Sequence, residues 1–561
     1  MSEDPRRPSE RVDVCVIGSG PAGALVSATL ADRGHDVVVL EAGPRFDFEK
    51  RIDRMEQSLR PSHDPSDVWD MGGARDDYTN SGEVTYPLNT RRVKGIGGSS
   101  LHWGGRLERF KRKDFEMQSR YGVATDWPIS YEDLQPYYLA AEKELGAAGE
   151  AQLPFGPPRE EPPPMDAFPP SYTDKLVAPA CEEAGITLHR VLWAINSEPY
   201  DGRSECLGYG TCSPVCPSGA KYSADVHVEK AEARGARVLD RVPVQKLHHD
   251  EAGDRIVSAE YATPAGETHH QEAREFVVAC GGVETPRLLL LSASETYPDG
   301  LANSSGAVGR YFEERPAAVL RARIDQPTRQ HLIGFGTTES HQFYTVDDVP
   351  PGSIKLEIDN NGGPRPVDLA LRREDALHAA RDVLQNPSDP AEWRDLAGPG
   401  DGVPWGDDLL ETMREQYGTT IQLSAAVEEL PDPENRITLN PDVTDDHGNP
   451  VPDVSWSRSD YAARTMDRAF EIMHEILDNL DAEVHARSEI RFWKGIGHHL
   501  GTTRMGTDPA ESVVNPRLRT HDLENLSIVS SSVFVTGGAM QPTLTIAALA
   551  LRAADHLDER L

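Results

Sequence analysis

VDVCVIGSGPAGALVSATLADRG, residues 12–34, passes from an apolar run through a cluster of glycines into a helix-like segment. Residues 12–17 read as a buried strand. Gly18, Gly20 and Gly23 then fall in the spacing GxGxxG, and Gly34 ends the helix-like run. Gly18 permits a tight turn, Gly20 lets the backbone approach a pyrophosphate, and Gly23 allows close packing of helix on strand. The helix N-terminus beyond them attracts negative charge. A second strand, Val37 to Leu40, ends in Glu41, 18 residues past Gly23. At that spacing a carboxylate accepts hydrogen bonds from ribose hydroxyls, and its charge repels a 2′-phosphate. The stretch therefore reads as a dinucleotide site for FAD or NAD in preference to NADP.

Composition bounds what surrounds this site. At 561 residues the chain is long for one core, which points to a large two-domain enzyme. A formal charge of -35 excludes a nucleic-acid binder. No apolar run reaches about 18 residues, the length of a membrane span. The opening MSEDPRRPSE has no apolar signal core, and the Arg6-Arg7 pair leads into the first strand, so the chain reads as soluble and unprocessed. Lysine is scarce beside arginine, and acidic pairs such as Asp445-Asp446 dot the loops. That balance resembles proteins of salt-loving organisms.

Further along, residues 276–292, FVVACGGVETPRLLLLS, read as a second buried strand broken at Gly281 and Gly282, with Pro286 opening a helix. The proline-rich stretch from Pro154 to Pro170 reads as a surface excursion. Between residues 311 and 440 the runs VLRARI, SIKLEI and TIQLSAAV alternate, which suits an antiparallel sheet with one solvated face. A helix over Tyr461 to Leu480 follows, and the chain ends in LTIAALALRAADHL, another helix. The fold class is α/β: a discontinuous Rossmann-like domain with an inserted, mainly antiparallel sheet domain. The expected boundaries are 1–310, with a cysteine-bearing excursion at 150–225, then 311–490, then 491–561 returning to the first domain.

Cys206, Cys212 and Cys216 place half of the six cysteines in one eleven-residue stretch. Three soft thiolates so close in sequence converge on one centre at little closure entropy. Their spacing leaves several readings open: an iron-sulfur cluster, zinc with His227 as fourth ligand, a disulfide that leaves an odd thiol, or buried free thiols.

Five ordered segments carry a resemblance. They are GIGGSSLHWGG at 95–105, DWPISYEDLQPYY at 126–138, GGVETPRLLLLS at 281–292, HHLGTTRMG at 498–506 and SVVNPRLRTHDLENLSIVSSSVFVTGGAMQPTLTIAALALR at 512–552. Together they resemble the glucose-methanol-choline oxidoreductases over nearly the whole chain. The resemblance implies FAD, oxidation of an alcohol to a carbonyl, and an active site where the flavin ring meets the sheet domain. The family's catalytic histidine falls on His498, in an HxxGT pattern with Gly501 and Thr502, and His499 is the neighbour to exclude. A neutral imidazole there would accept the substrate hydroxyl proton while hydride leaves the same carbon. The second catalytic position, usually Asn or His, is Gln541, which can orient a hydroxyl but cannot act as a base.

Other cofactor positions follow from the same resemblance. Gly98, Ser99, Val244 and Thr543 join the glycine turn, and Ser530 stands where relatives often carry an aspartate. His102 aligns with a histidine that some members bond covalently to the flavin. The cysteine triplet, followed by PSGAKY at 217–222, is similar to that of the catalytic subunits of bacterial FAD-dependent glucose, fructose and gluconate dehydrogenases. That branch implies a three-iron, four-sulfur cluster, a quinone or cytochrome acceptor, and a small partner subunit that often bears the export signal. The compartment read from this is cytoplasmic or peripherally membrane-associated, with export alongside a partner as the variant. Two rivals accompany the reading: an oxidase or dehydrogenase of sterols or other alcohols with structural cysteines, and a flavin electron-transfer subunit without turnover.

Overall fold

A computed structural model of the chain describes residues 6–60, 68–329, 334–347, 349–360, 406–487 and 497–561. Its first layer grows from the glycine turn. The strand Val12–Ile17 runs parallel to Val37–Leu40 on one side and to the second half of the long strand Thr268–Val278 on the other. Arg237–Leu239 and Leu526–Ile528 extend the parallel sheet outward, so the end of the chain returns to the sheet begun at its start. All four residues of Val37–Leu40 are buried, as a parallel sheet covered on both faces requires. The helix Pro21–Asp32 crosses between the first two strands and packs on the helices Asp225–Ala233 and Thr543–Asp558. This is the Rossmann-like α/β domain expected from the sequence.

The glycine turn needs its glycines for different reasons. Gly18 has φ of +96°, which other residues rarely adopt, and its N–H donates to the Leu40 carbonyl at 2.9 Å. A Cβ on Gly23 would sit 2.0 Å from the Gly18 carbonyl oxygen, so any side chain would push the helix off the turn.

The second glycine-bearing element departs from expectation. Its helix runs Gly281–Leu291, and Pro286 lies inside it. Pro286 has no N–H for the Gly282 carbonyl four residues earlier. The Thr502 hydroxyl donates to that carbonyl instead, at 2.7 Å, so the helix begins at the glycines and tolerates the proline.

The second sheet is antiparallel throughout, in the order Glu483–Arg487, Ala317–Arg323, Thr420–Val427, Ile354–Asp359, Thr338–Ser340, His189–Arg190. One face carries Ala318, Leu320, Ala322, Leu356, Ile358, Ile421 and Leu423 into a core with the helices Tyr172–Glu183 and Asp460–Asp478. Ser459 caps the latter by accepting from the Ala462 N–H, which starts that helix one residue before the expected Tyr461. The opposite face was expected to be solvated. Toward the Ile354–Asp359 and Thr338–Ser340 strands it is instead buried and charged, with Lys355 fully covered. Arg106 lies between Glu339 and Glu357 at 2.9 and 2.8 Å, and Lys355 between Glu108 and Glu357 at 2.6 and 2.8 Å. Alternation announces a polar face; it does not say what covers that face.

Two smaller readings are also refined. The proline-rich excursion is pinned by Arg159, which is buried against Glu142 at 2.6 Å. Asp445 is not a free loop acid, because Arg287 donates to it at 2.6 Å at the turn of the hairpin Arg436–Thr444 and Pro450–Ser455. The boundary expected near residues 490 and 491 lies outside the described residues. Among the described residues, no helix is long and apolar enough to cross a membrane.

Candidate active site

A cavity of about 980 Å³ runs from the glycine turn to the loops that carry His498 and Gln541. Gly18, Gly20, Glu41, Gly98, Ser99, His102, Val244, Ser530 and Thr543 line it, as do His498 and Gln541. Among the dinucleotide residues named from sequence, Gly23 stands apart, spent on the helix-strand contact. Around Gly20 nothing lies within 4 Å of where a Cβ would be, so the backbone is bare for a ligand to approach. The Glu41 carboxylate accepts from the Ser19 N–H at 3.0 Å, the Ser19 hydroxyl at 2.7 Å and the Gly43 N–H at 2.9 Å, which leaves acceptor capacity for a hydroxyl. Burial raises its pKa, and those three donors oppose the rise.

His498 sits at the other end of this cavity. Its backbone N–H and that of Gly497 both donate to Glu314, each at 2.9 Å, so one carboxylate oxygen fixes the loop. Arg315, the next residue, is fully buried. Its Nη2 donates to His498 Nδ1 and to Gln541 Oε1, each at 3.0 Å. A guanidinium has donors only, so Nδ1 is the acceptor and the ring hydrogen of the neutral imidazole resides on Nε2. Burial first, and then the Arg315 charge, hold the His498 pKa well below its usual value. Gln541 is set from behind, where its N–H donates to Glu108 at 2.6 Å.

His499 is engaged elsewhere. Its Nε2 meets the Tyr86 hydroxyl at 2.8 Å and its ring stacks on Phe312, with burial pulling its pKa to about 3. Tyr86 also donates to Glu314, which ties both histidines to one support. Sequence reading missed Arg315, Glu314, Tyr86 and Glu108. The charged triplet Glu313-Glu314-Arg315, just ahead of the strand Ala317–Arg323, was the available signal.

At the cavity wall, the His102 ring hydrogen-bonds the Arg91 backbone, and its Nε2 is buried without a partner. Burial lowers its pKa to about 4. His102 lines the dinucleotide cavity with a neutral ring, which suits contact with a flavin edge. Ser530 uses its hydroxyl locally, accepting from the Ser532 N–H at 3.2 Å.

The cysteine triplet lies beyond His102. All three are free thiols in one pocket with Val191, Trp193, Ile195 and Phe335. Burial pushes the Cys212 thiol up to about 12. Lys221, also buried, donates its amine to the carbonyls of Leu101, Trp103 and Cys212, bridging the cysteine loop to the His102 turn. Two thiolates on one tetrahedral zinc sit about 3.8 Å apart. The triplet is not among the described residue sets whose ligand atoms gather within 4.8 Å, which disfavours a single ion held by all three. His227 is no fourth ligand either, because its ring nitrogens pair with Tyr222 and Glu144, each at 2.9 Å.

GMC oxidoreductase sequence patterns match residues 88–317 and 431–550, and a Rossmann-like NAD(P)-binding pattern matches residues 16–46. The chain belongs to the GMC oxidoreductase family, and is a FAD-dependent enzyme of CH–OH donors. Over 97% of each chain it is 31% identical to the fructose dehydrogenase large subunit of Gluconobacter japonicus. It is also 31% identical to 2-methyl-1,2-propanediol dehydrogenase of Mycolicibacterium austroafricanum, covering 98% of this chain and 96% of that one. Among solved structures, formate oxidase of Aspergillus oryzae RIB40 superposes with a TM-score of 0.66 at 16% identity over 99% of both chains, a likeness of fold.

Proposed function

We propose that the chain oxidises a CH–OH group of a sugar, sugar acid or polyol, and that it is a dehydrogenase passing electrons to an external acceptor. The observation that carries this reading is the placement of neutral His498 and Gln541 on one guanidinium at the end of a cavity that begins at a dinucleotide turn. Similarity to a fructose dehydrogenase subunit and a diol dehydrogenase supports polyhydroxylated donors. The bare Gly20 backbone and the unpartnered His102 nitrogen fit FAD, which when bound supplies the hydride acceptor.

The residues then divide the work. Gln541 orients the substrate hydroxyl and His498 takes its proton. For Nε2 to accept that proton, the ring hydrogen must sit on Nδ1, so Arg315 must release Nδ1 while it goes on donating to Gln541 Oε1 and to the Ala539 carbonyl. His102 is the residue that would hold the flavin covalently. Cys206, Cys212 and Cys216 fit a three-iron, four-sulfur cluster, being free, in one apolar cluster and beside the Lys221 cation, and such a cluster would carry single electrons outward. A small partner subunit and a quinone or cytochrome acceptor complete the reading, with the enzyme cytoplasmic or peripheral to a membrane. We read the acidic surface as adaptation to salt.

Anaerobic purification with iron and flavin analysis, followed by a sugar and polyol panel, tests this. The expected result is bleaching of the flavin by a polyhydroxylated donor, iron bound with the flavin, and poor reoxidation by dioxygen. Iron-free enzyme that forms stoichiometric peroxide would make it an oxidase with structural cysteines. Flavin that no alcohol bleaches would remove catalysis altogether.

A further inference from the structure

We propose that His189, Glu339 and His341 form a binding site for one divalent first-row transition-metal ion of the zinc type. The site is built by the edge of the second sheet. Glu339 lies directly opposite His189 across the antiparallel pair Thr338–Ser340 and His189–Arg190, and His341, two residues on, follows on the same side. All three side chains are buried, and their ligand atoms all lie within 4.8 Å of one another.

The donor atoms are free for a ligand. His189 Nδ1 lies 3.1 Å from the Arg190 carbonyl, which only a protonated nitrogen satisfies, so Nε2 keeps its lone pair. Both His189 Nε2 and His341 Nε2 are buried with no hydrogen-bond partner. Glu339 has its Oε2 held by Arg106 at 2.9 Å, while Oε1 lies 3.1 Å from His341 Nε2 without a hydrogen bond between them. Two ligands about 2.1 Å from a tetrahedral ion sit about 3.4 Å apart, so the pair is already close to the spacing that a shared ion imposes. A void of about 20 Å³ beside Glu339 and His341 has room for one water as a fourth ligand.

Two imidazoles and one carboxylate favour zinc and its neighbours over magnesium or calcium, which prefer all-oxygen sets. Neighbouring cations are already occupied. Lys355 pairs with Glu108 and Glu357, and the Lys111 amine lies 4.5 Å above the Tyr344 ring. The site also adjoins the active site through named contacts. Arg106 links Glu339 to Glu357, Lys355 links Glu357 to Glu108, and Glu108 holds the Gln541 N–H. An ion here would brace the wall behind Gln541.

The test strips the flavin-loaded enzyme with a chelator and titrates it with Co²⁺ and Zn²⁺. The expected result is one equivalent bound per chain, with a cobalt spectrum free of thiolate charge transfer. His189→Gln and His341→Gln should each weaken binding by more than about a hundredfold, beyond what losing a supporting hydrogen bond costs. His248→Ala, in the half-exposed set His248, Glu260 and His270, should leave it unchanged. X-ray absorption on zinc-loaded wild type, which needs no variant to fold, should show nitrogen and oxygen neighbours and no sulfur. Absence of bound metal in wild type, a sulfur shell, or undiminished binding in folded His189→Gln and His341→Gln enzymes would overturn the proposal.

Discussion

Arg315 bears on how His498 enters the reaction, because its donor-only guanidinium holds Nδ1 as an acceptor, must let it go before Nε2 can take a proton, and positions Gln541 at the same time. Its charge is also the next cause, after burial, of the low His498 pKa. A base that must be neutral stays available at mildly acidic pH under that influence. Arg315→Gln should let the His498 pKa climb toward its ordinary value, so the acid limb of kcat/KM moves to higher pH and kcat falls by about a hundredfold. Arg315→Lys keeps the charge but loses the planar fork, so kcat falls while the acid limb stays in place. Identical pH profiles for wild type and Arg315→Gln would make Arg315 a structural residue only. The turn that holds Gly18, Gly20, Gly23 and Glu41 was legible in the sequence because its geometry is local, set by neighbours in one turn. Arg315 was illegible for the opposite reason: its role exists only where residues 315, 498 and 541 meet in space.

At the scale of elements, two segments that resemble the family turn out to be one device. Thr502 of the HxxGT pattern fills the place of the N–H that Pro286 lacks, and Gly282 leaves room for the His498-His499 loop. A Cβ on Gly282 would lie 2.3 Å from the His499 carbonyl oxygen. The histidine loop is therefore moored to the start of the Gly281–Leu291 helix. Thr502→Val should leave the buried Gly282 carbonyl unpaired and cost about 1–3 kcal/mol, read as a lower unfolding midpoint in urea with faster flavin loss. Thr502→Ser keeps the hydroxyl and should recover most of that loss. If Thr502→Val unfolds like wild type, the mooring does not matter. The strands of this region were legible from alternation, and the glycines marked the break. Where the helix begins was not, because the proline's missing bond is made good from more than 200 residues away.

For the whole molecule, charge acts in two places with opposite responses to solvent. The net charge of -35 lies largely on the surface, where repulsion is screened by salt, with a Debye length of about 10 Å at 0.1 M and about 3 Å at 1 M. The buried neutral histidines respond to pH and little to salt. His102, His498 and His499 all have folded pKa values held below the ordinary histidine value, chiefly by burial. Between the folded and unfolded values the unfolded chain binds more protons, so their contribution is present above about pH 6.5 and is lost as pH falls toward the folded values, about 4 for His102 and about 3 for His499. Lowering the pH also neutralises surface carboxylates, which relieves repulsion and works the other way. Melting the enzyme across pH at about 0.1 M and about 1 M sodium chloride separates the two effects. Salt should raise Tm most at neutral pH, where the surface is fully charged, and the decline between about pH 6.5 and 4 should persist in high salt. A Tm that climbs on acidification at low salt would mean that surface repulsion outweighs the histidines, and one indifferent to salt at pH 7 would end the reading of the acidic surface as salt adaptation.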